Sequence, residues 1–235
     1  MEITNEQVLA GQALYSRSFL AAYDFVILGF STRLLWGCPA GRILQLYDAY
    51  TSDNHLDVGV GTGFFLDRSH FRSKVPRLAL LDLNPNSLDV AARRLSRYKP
   101  EIYQANVLEP LHISASRFDS ISMSGLLHCL PGTIVSKSIV FDNLKALLNP
   151  GGVIFGTTIL HGGVRRGWLA DRVMNYCNSR RIFTNLRDDL SGLSSVLADQ
   201  LVEPSIEVAG SVALFAGVAT GRANPPMQRT RGEQA

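Results

Sequence analysis

The stretch Asp57-Val58-Gly59-Val60-Gly61-Thr62-Gly63 decides the fold class of this chain. It begins inside a short apolar strand that starts at His55, and its glycines form a turn after that strand. Glycines at this spacing let backbone N–H groups and the start of a following helix approach a ligand that side chains would otherwise block. The stretch therefore predicts a strand–turn–helix unit that binds a ligand.

A second apolar strand, predicted over 78–82, also ends on an acid. Asp82 follows Gly63 by nineteen residues, and a carboxylate at that place can accept hydrogen bonds from two ribose hydroxyls. A ribose-bearing cofactor is therefore predicted. NAD fits less well, because the pattern G-x-G-x-x-G beginning at Gly59 needs glycine at position 64, where Phe64 stands.

Helix and strand patterns alternate along the rest of the chain. Asn84-Pro85 predicts an N-cap followed by the first turn of a helix. Strands are predicted over 102–107, 118–124 and 153–160, with a turn over 149–152, and a hairpin closes the pattern over 205–220. Strands that alternate with helices predict an α/β fold with a doubly wound, mostly parallel sheet.

These motifs resemble those of the class I S-adenosylmethionine-dependent methyltransferases, whose first motif has the form acid-x-Gly-x-Gly-x-Gly. Asp57, Gly59, Gly61, Gly63 and Asp82 match the family pattern residue by residue. The resemblance implies a seven-stranded sheet with an antiparallel last strand and S-adenosyl-L-methionine as the cofactor. It also implies that Asp57 helps to hold the amino-acid end of the cofactor, that the glycine backbone passes beneath it, and that Asp82 holds the ribose.

The resemblance covers roughly residues 40–160 and the terminal hairpin. It departs from the family pattern at Asn106, where the family usually has an aspartate that contacts the adenine amino group. Asn106 can still accept a hydrogen bond through its amide oxygen. Leu83, Val107 and Ser124 complete the cofactor site that the resemblance implies.

The resemblance and the sequence pattern together divide the chain into parts. Residues 1–50 are predicted to form an N-terminal helical cap, and residues 51–220 a Rossmann-like cofactor-binding domain. A cap insertion is expected over about 161–187, where the alternation is interrupted. The tail over 221–235, with Pro225-Pro226 and scattered charges, is predicted to be disordered.

Composition excludes several classes of protein. A chain of 235 residues with 46% hydrophobic residues can bury one sizeable core. Its formal charge is +3, of which the last fifteen residues account for +2, so the remainder lacks the basic surface of a nucleic-acid-binding protein. Cys38, Cys129 and Cys177 have no spacing that suggests a disulfide framework or a zinc site. The sequence shows neither a signal peptide nor a membrane span, and we expect a cytoplasmic protein.

His128 is the candidate catalytic residue. The segment 124–129 follows the predicted fourth strand, and the carboxyl ends of such strands face the ligand in a doubly wound sheet. Methyl transfer depends mainly on positioning and desolvation, so a base is optional. A histidine with a reference pKa of about 6.5 could take the proton of a hydroxyl or ammonium acceptor. A purely structural histidine remains the alternative.

Substrate contacts are predicted from both caps. Tyr15, Phe19 and Tyr23 are spaced to share one helical face that could cover a substrate, with Tyr23 also able to orient the acceptor. The alternative is that this face packs against the sheet. In the insertion, Trp168 and Met174 are candidates for a cavity wall.

The sequence thus predicts a methyltransferase that acts on a small molecule, of the natural-product type, with neither nucleic acid nor membrane as a partner. Acceptor atom, substrate and oligomeric state stay open. A cyclase or isomerase that binds the same cofactor without net methyl transfer is the alternative, and an RNA-modifying protein that uses the basic tail is less favoured.

Overall fold

The central element of the fold is a sheet within residues 32–219, the part of the chain that the computed structural model describes. Its strands are β1 (Asn54–Val58), β2 (Arg77–Asp82), β3 (Glu101–Gln104), β4 (Phe118–Ser124), β5 (Leu148–Ile159), β6 (Leu201–Ala209) and β7 (Val212–Ala219). The seven strands lie in the order β3-β2-β1-β4-β5-β7-β6. Strands β1 to β5 are parallel, and β7 is antiparallel to both of its neighbours. The predicted mostly parallel sheet with a reversed last strand is confirmed.

Helices cover both faces of the sheet. They are α1 (Ala40–Tyr50), α2 (Phe64–Arg68), α3 (Pro85–Arg94), α4 (Ile139–Lys145), α5 (Trp168–Ser179) and α6 (Leu190–Gln200). Single helical turns lie at Thr32–Leu34, Ser96–Tyr98, Leu127–Cys129 and Ser136–Ser138. Helices α4 and α6 pack into the apolar core on one face, and α1, α2, α3 and α5 into the core on the other. The doubly wound arrangement is therefore confirmed.

The local signals around β2 explain why this part of the fold was predictable. Residues between Arg77 and Asp82 are buried without alternation, as expected for a parallel strand with helices on both faces. Asn84 then caps α3, since its side-chain oxygen accepts a hydrogen bond from the Asn86 N–H at 2.9 Å, and Pro85 occupies the first helical turn.

Two predicted segments differ from the structure. The turn expected over 149–152 is part of β5, where Gly151 has φ +79° and the pairing with β4 shifts register. Strand β3 ends at Gln104 rather than at position 107. Asn106 ends the extended segment because its side-chain oxygen accepts from the Leu108 N–H at 3.1 Å and its carbonyl from the Glu109 N–H at 3.0 Å.

The two predicted caps differ in how much of them is described. Helix α1, the last part of the N-terminal cap, packs against the sheet through Ile43 and Tyr47. Residues 1–31 and the tail lie outside the described residues. The insertion between β5 and α6 contains α5 and is described throughout. Within residues 32–219, none of the helices has the length and apolar character needed to cross a membrane.

Candidate active site

A cavity of about 470 Å³ opens at the carboxyl ends of the parallel strands, where the strand order reverses between β1 and β4. Its volume lies within the range of about 300–1,000 Å³ that is typical of small-molecule sites. The predicted site residues that line it are Asp57, Gly59, Gly61, Gly63, Asp82, Leu83, Asn106, Val107, Ser124 and His128.

The three glycines of the loop all have positive φ, but they are needed for different reasons. A Cβ at Gly59 would lie 2.9 Å from Leu126, and a Cβ at Gly63 would lie 3.2 Å from Ala91 of α3. Both glycines are therefore required by packing. Gly61 has φ +52°, and no atom lies within 4 Å of the position of its Cβ. Gly61 is the glycine that leaves space for a ligand.

Asp82 lies at the end of β2 and faces this loop. Its Oδ1 accepts a hydrogen bond from the Asn84 N–H at 2.8 Å. Burial raises the pKa of Asp82 to about 6, although hydrogen bonds from backbone N–H groups, that of Gly61 among them, act in the opposite direction. Hydroxyl donors from a ribose would stabilise the carboxylate in its charged form.

Asp57 is held by two neighbouring side chains. The Tyr47 hydroxyl of α1 donates to its Oδ1 at 3.2 Å, and the Ser122 hydroxyl of β4 donates to the same oxygen. Burial raises the pKa of Asp57 to about 6, against the effect of these two donors. The second carboxylate oxygen can accept from the cationic amino group of a ligand, which would also favour the charged form.

A chain of buried hydrogen bonds continues behind Asp57. In the register of the sheet, His55 pairs with Ser120 and Asp57 with Ser122. The His55 ring lies between the two serines, with Nδ1 2.7 Å from the Ser120 hydroxyl and Nε2 3.0 Å from the Ser122 hydroxyl. Because Ser122 donates to Asp57, it accepts from His55 Nε2–H, and His55 Nδ1 accepts from Ser120. Each hydrogen bond in this series therefore has its donor on the far side and its acceptor on the side nearer to the Asp57 carboxylate.

The residues present fit the adenosyl and methionyl parts of S-adenosylmethionine. Ser124 ends β4 at the cavity, and among the described residues its buried hydroxyl has no hydrogen-bond partner. An unpaired buried hydroxyl at a cavity wall is available to a polar group of a ligand. Gly61 leaves space, Asp82 and Asp57 provide acceptors, and Asn106 lies at the wall, although its amide oxygen already accepts from Leu108.

The other end of the cavity is apolar and rich in aromatic side chains. Its walls come from the segment before α1, from β5, β7 and α5, and from the residues after α5: Trp36, Ile159, Val173, Tyr176, Cys177, Ile182, Phe183 and Val212. The charged residues among the described lining are Asp57 and Asp82, and both lie at the first end. We call these eight residues with His128 the acceptor end.

His128 is the imidazole at the acceptor end. It lies in the helical turn after β4 with 6% of its surface exposed, and Phe183 packs edge-to-face against it with ring centres 4.6 Å apart. Its Nδ1 accepts a hydrogen bond from the Ile159 N–H at 3.3 Å. Burial lowers the pKa of His128 to about 3, and the charge of Lys137 lowers it further.

This environment argues against the predicted role of His128 as the group that takes the proton of the acceptor. A backbone N–H can only donate, so Nδ1 is unprotonated and the ring proton is on Nε2. The nitrogen with a free lone pair is thus already used by Ile159, and burial disfavours the imidazolium. His128 can instead donate a hydrogen bond from Nε2.

The insertion is attached to the acceptor end by buried polar contacts. Lys137 and Asp188, both with 0% side-chain exposure, form an ion pair with 2.5 Å between Nζ and Oδ2. Lys137 also donates to the Thr184 carbonyl at 3.0 Å, and the Thr184 N–H donates to the His128 carbonyl at 2.9 Å. The Asn185 side chain donates to the Ile159 carbonyl at 2.8 Å. These contacts fix Phe183 beside His128.

Trp168 is not a wall of the cavity, so that prediction is wrong for the described chain. Its side chain is 74% exposed, and it is not among the residues that line the cavity. Helix α5 turns Val173, Tyr176 and Cys177 toward the cavity and buries Met174 in the core. Trp168 lies at the first helical position on another side of α5, and helix phase alone separates it from the cavity.

Tyr15, Phe19 and Tyr23 lie outside the described residues, so their predicted contacts stay predictions. Sequence reasoning missed Tyr47, Ser122 and His55. A signal was present in β4, where Ser120, Ser122 and Ser124 recur with the period of a strand and alternate with the apolar Ile121 and Met123. Three polar side chains on one face of a central strand are expected to meet polar partners there.

Comparisons with known proteins agree with this site. A family model described as a methyltransferase domain matches residues 56–154. The demethylluteothin O-methyltransferase of Streptomyces thioluteus is 40% identical over 213 residues, which cover 91% of this chain and 93% of that protein. An N-methyltransferase of Penicillium aethiopicum is 37% identical over 182 residues, 77% of this chain and 76% of that protein.

Solved structures share the fold at low sequence identity. The phosphoethanolamine N-methyltransferase 2 of Haemonchus contortus in complex with S-adenosyl-L-methionine is 13% identical, with a TM-score of 0.66. The match covers 93% of this chain and 61% of that one. At this identity the similarity supports the architecture, and the relatives at 37% and 40% identity carry the assignment of the family.

Proposed function

The chain belongs to the class I S-adenosylmethionine-dependent methyltransferases, and on that premise we propose that it methylates a hydroxyl oxygen of an apolar, ring-containing small molecule. The observation that carries this proposal is the acceptor end of the cavity. Aromatic and aliphatic side chains form its walls, and His128 is the imidazole among them. Such a surface suits a planar apolar skeleton, which stacks on rings and buries apolar area.

Oxygen is favoured over nitrogen as the acceptor atom. A cationic amine that must lose a proton before it reacts is usually paired with a carboxylate. In the described part of the cavity, Asp57 and Asp82 are the carboxylates, and both belong to the cofactor end. A hydroxyl, in contrast, can pair with the Nε2–H of His128. The relative from Streptomyces thioluteus is named as an O-methyltransferase, whereas that from Penicillium aethiopicum is named as an N-methyltransferase.

The residues of the cofactor end have separate tasks in this proposal. Asp82 accepts from the ribose hydroxyls, and Asp57, oriented by Tyr47 and Ser122, accepts from the amino group. Gly61 provides space, and Ser124 offers its unpaired hydroxyl. The bound cofactor supplies an electrophilic methyl group on a sulfonium with a good leaving group. The protein therefore needs mainly to align the acceptor and exclude water.

We also propose that residues 1–31 contribute to the acceptor end. Thr32, the first described residue, lines the cavity, which supports this proposal. Tyr15, Phe19 and Tyr23 are the residues expected to reach the substrate from there. A Tyr23→Ala variant should then raise the KM for the acceptor and leave the affinity for S-adenosylhomocysteine unchanged.

The function can be tested with methyl-labelled S-adenosylmethionine and a panel of hydroxylated aromatic compounds, amines and carboxylic acids. We expect labelled ethers from bicyclic hydroxyaromatics, with one equivalent of S-adenosylhomocysteine for each product, and no product from the amines or acids. A Gly61→Ala variant serves as the control with weakened cofactor binding, and it should give less product at limiting S-adenosylmethionine. Labelled amines as the main product would contradict the choice of oxygen, and product without S-adenosylhomocysteine would indicate a cyclase or isomerase.

A further inference from the structure

The hydrogen-bonded state of His128 limits which acceptors the site can use. Its Nδ1 accepts from Ile159 N–H, so its Nε2 carries the ring proton and is the nitrogen left to donate to a ligand in the cavity that His128 lines. An imidazole in this state has no lone pair left for the proton of a hydroxyl. If another group removed that proton, it would have to lie at the same end of the cavity.

Each titratable or charged group described around His128 is engaged elsewhere or unsuited to this task. Lys137 forms the buried ion pair with Asp188. The Cys129 thiol, in the same helical turn, lies 3.7 Å from the Gly125 carbonyl as a donor, and burial raises the pKa of the Cys177 thiol on α5. The ring of Tyr176 on α5 is 57% exposed and packs against Arg180, whose guanidinium carbon lies 5.6 Å from the ring centre. From the cofactor end, Tyr47 donates to Asp57, which also accepts from Ser122.

We propose that the acceptor is an acidic enol or phenol that is already ionised when it reacts, and that His128 binds its oxyanion through Nε2–H. This inference rests on the function proposed above and narrows its substrate class. The oxyanion forms the new O–C bond with its own electron pair, while the C–S bond breaks and its electron pair stays on sulfur. The charges of the oxyanion and the sulfonium cancel, so no proton has to leave the site.

The charge distribution supports an anion at this place. Lys137 lies near His128, and its charge disfavours the imidazolium form of that ring. The same positive potential favours an oxyanion bound on the Nε2 side. The two carboxylates of the cavity lie at the cofactor end. A hydrogen bond from a neutral imidazole to an oxyanion is charge-assisted and so is stronger than one to a neutral hydroxyl.

Three coumarins of similar size provide the test with the S-adenosylmethionine-loaded enzyme. 4-Hydroxycoumarin has an acidic enol that is ionised at neutral pH, 7-hydroxycoumarin has a phenol that ionises near neutral pH, and 7-(hydroxymethyl)coumarin is an aliphatic alcohol. We expect a flat kcat/KM between pH 6 and 9 for the enol. For the phenol, kcat/KM should rise with the ionisation of the free phenol, and the alcohol should bind without being methylated.

Binding gives a second readout that does not depend on turnover. The absorbance of 7-hydroxycoumarin reports its ionisation in the complex with protein and S-adenosylhomocysteine. We expect the pKa of the bound phenol to be lower in the wild type than in His128→Asn by about one unit, because asparagine can accept from Ile159 but places no donor at the position of Nε2. His128→Gln, whose amide can donate there without titrating, should recover most of the effect.

The kinetic variants separate a donor from a base. Loss of the donor in His128→Asn should lower kcat/KM for the enol about 10- to 100-fold, with recovery in His128→Gln. His70→Asn, at a side chain that is 86% exposed, is the matched control and should behave as the wild type.

Methylation of the alcohol would overturn the inference, and so would a break in the pH profile at the same pH for the enol and the phenol. An equal pKa of the bound phenol in the wild type and in His128→Asn would also overturn the inference. If none of the three compounds bound or reacted, the proposed apolar hydroxyl acceptor itself would be wrong.

Discussion

At the scale of single residues, the glycine loop shows that one motif combines different physical requirements. Gly59 and Gly63 leave room for Leu126 and for α3, so their replacement would disturb packing. At Gly61, in contrast, no atom lies within 4 Å of the position of a Cβ, so the open space does not serve the packing of the protein. A sequence pattern cannot distinguish these cases, because the contact of Gly59 comes from a residue 67 positions later in the chain.

Gly61→Ala should therefore separate binding from folding. Its backbone at φ +52° costs a non-glycine residue about 1 kcal/mol, and its methyl group would occupy the space meant for the cofactor. Gly151→Ala is the matched control, since Gly151 has φ +79°, also lacks neighbours within 4 Å of a Cβ, and does not line the cavity. Calorimetry with S-adenosylhomocysteine should show a loss of affinity of about tenfold or more for Gly61→Ala only. Equal affinity in both variants would mean that Gly61 serves the turn alone.

The residues of the motif could be predicted because their types and spacing follow from the chemistry of the ligand. Asp57, Gly61 and Asp82 all line the cavity. The state of His128 could not be predicted in this way. It depends on the backbone N–H of Ile159 and on the ring of Phe183, and neither contact has a local signature in the sequence.

At the scale of elements, the pairing of β1 with β4 determines the chemistry of the cofactor end. Register places His55 beside Ser120 and Asp57 beside Ser122, so a row of strand residues becomes a chain of hydrogen bonds. The mostly parallel sheet was predictable from the alternating pattern, whereas the register of its strands was not. Likewise, the cap insertion was predicted, but the side of α5 that faces the cavity depends on how the insertion docks.

The two buried carboxylates of the cofactor end predict a pH dependence of cofactor affinity. Burial raises the pKa values of Asp57 and Asp82 to about 6, and both must be charged to accept from the cofactor. Binding therefore weakens as the pH falls through 6, by about tenfold for each carboxylate at pH 5, and releases protons near pH 6. Calorimetry with S-adenosylhomocysteine between pH 5 and 8, in buffers of different ionisation enthalpy, measures both effects.

Ser122→Ala tests the role of β4 in this behaviour. Without the Ser122 donor, the pKa of Asp57 should rise above that in the wild type, and the loss of affinity should begin at a higher pH. Ser120→Ala removes the hydroxyl at the far end of the same hydrogen-bond chain, and its pH profile should shift less than that of Ser122→Ala. Identical profiles for all three proteins would show that Ser122 does not tune Asp57.

At the scale of the whole molecule, the walls of the cavity come from two parts of the chain. One is the sheet with its helices, which was predictable, and the other is the insertion between β5 and α6. The sheet and its helices follow from the periodicity of apolar residues, which is a local property of the chain. The insertion is held by Lys137 and Asp188, fifty-one positions apart, and by Thr184 and Asn185. Such contacts between distant residues have no periodic signal. The walls of the acceptor end, Phe183 and Tyr176 among them, became visible only in the folded chain.

The ion pair at this junction leads to a prediction about stability. Lys137→Met would leave Asp188 buried without its partner, and we expect a loss of about 3–5 kcal/mol in the free energy of unfolding. The double variant Lys137→Met with Asp188→Leu should recover most of that loss, because two apolar side chains do not require a partner. Arg93→Met is the matched control. It removes an exposed pair with Asp89 and should cost less than about 1 kcal/mol.

Urea unfolding measures the stability of all four proteins, the wild type included. The affinity for S-adenosylhomocysteine should stay unchanged in each, since the Lys137–Asp188 pair lies at the acceptor end. If Lys137→Met were as mild as Arg93→Met, the insertion would be held by its apolar contacts, and Phe183 would not depend on this ion pair for its place beside His128.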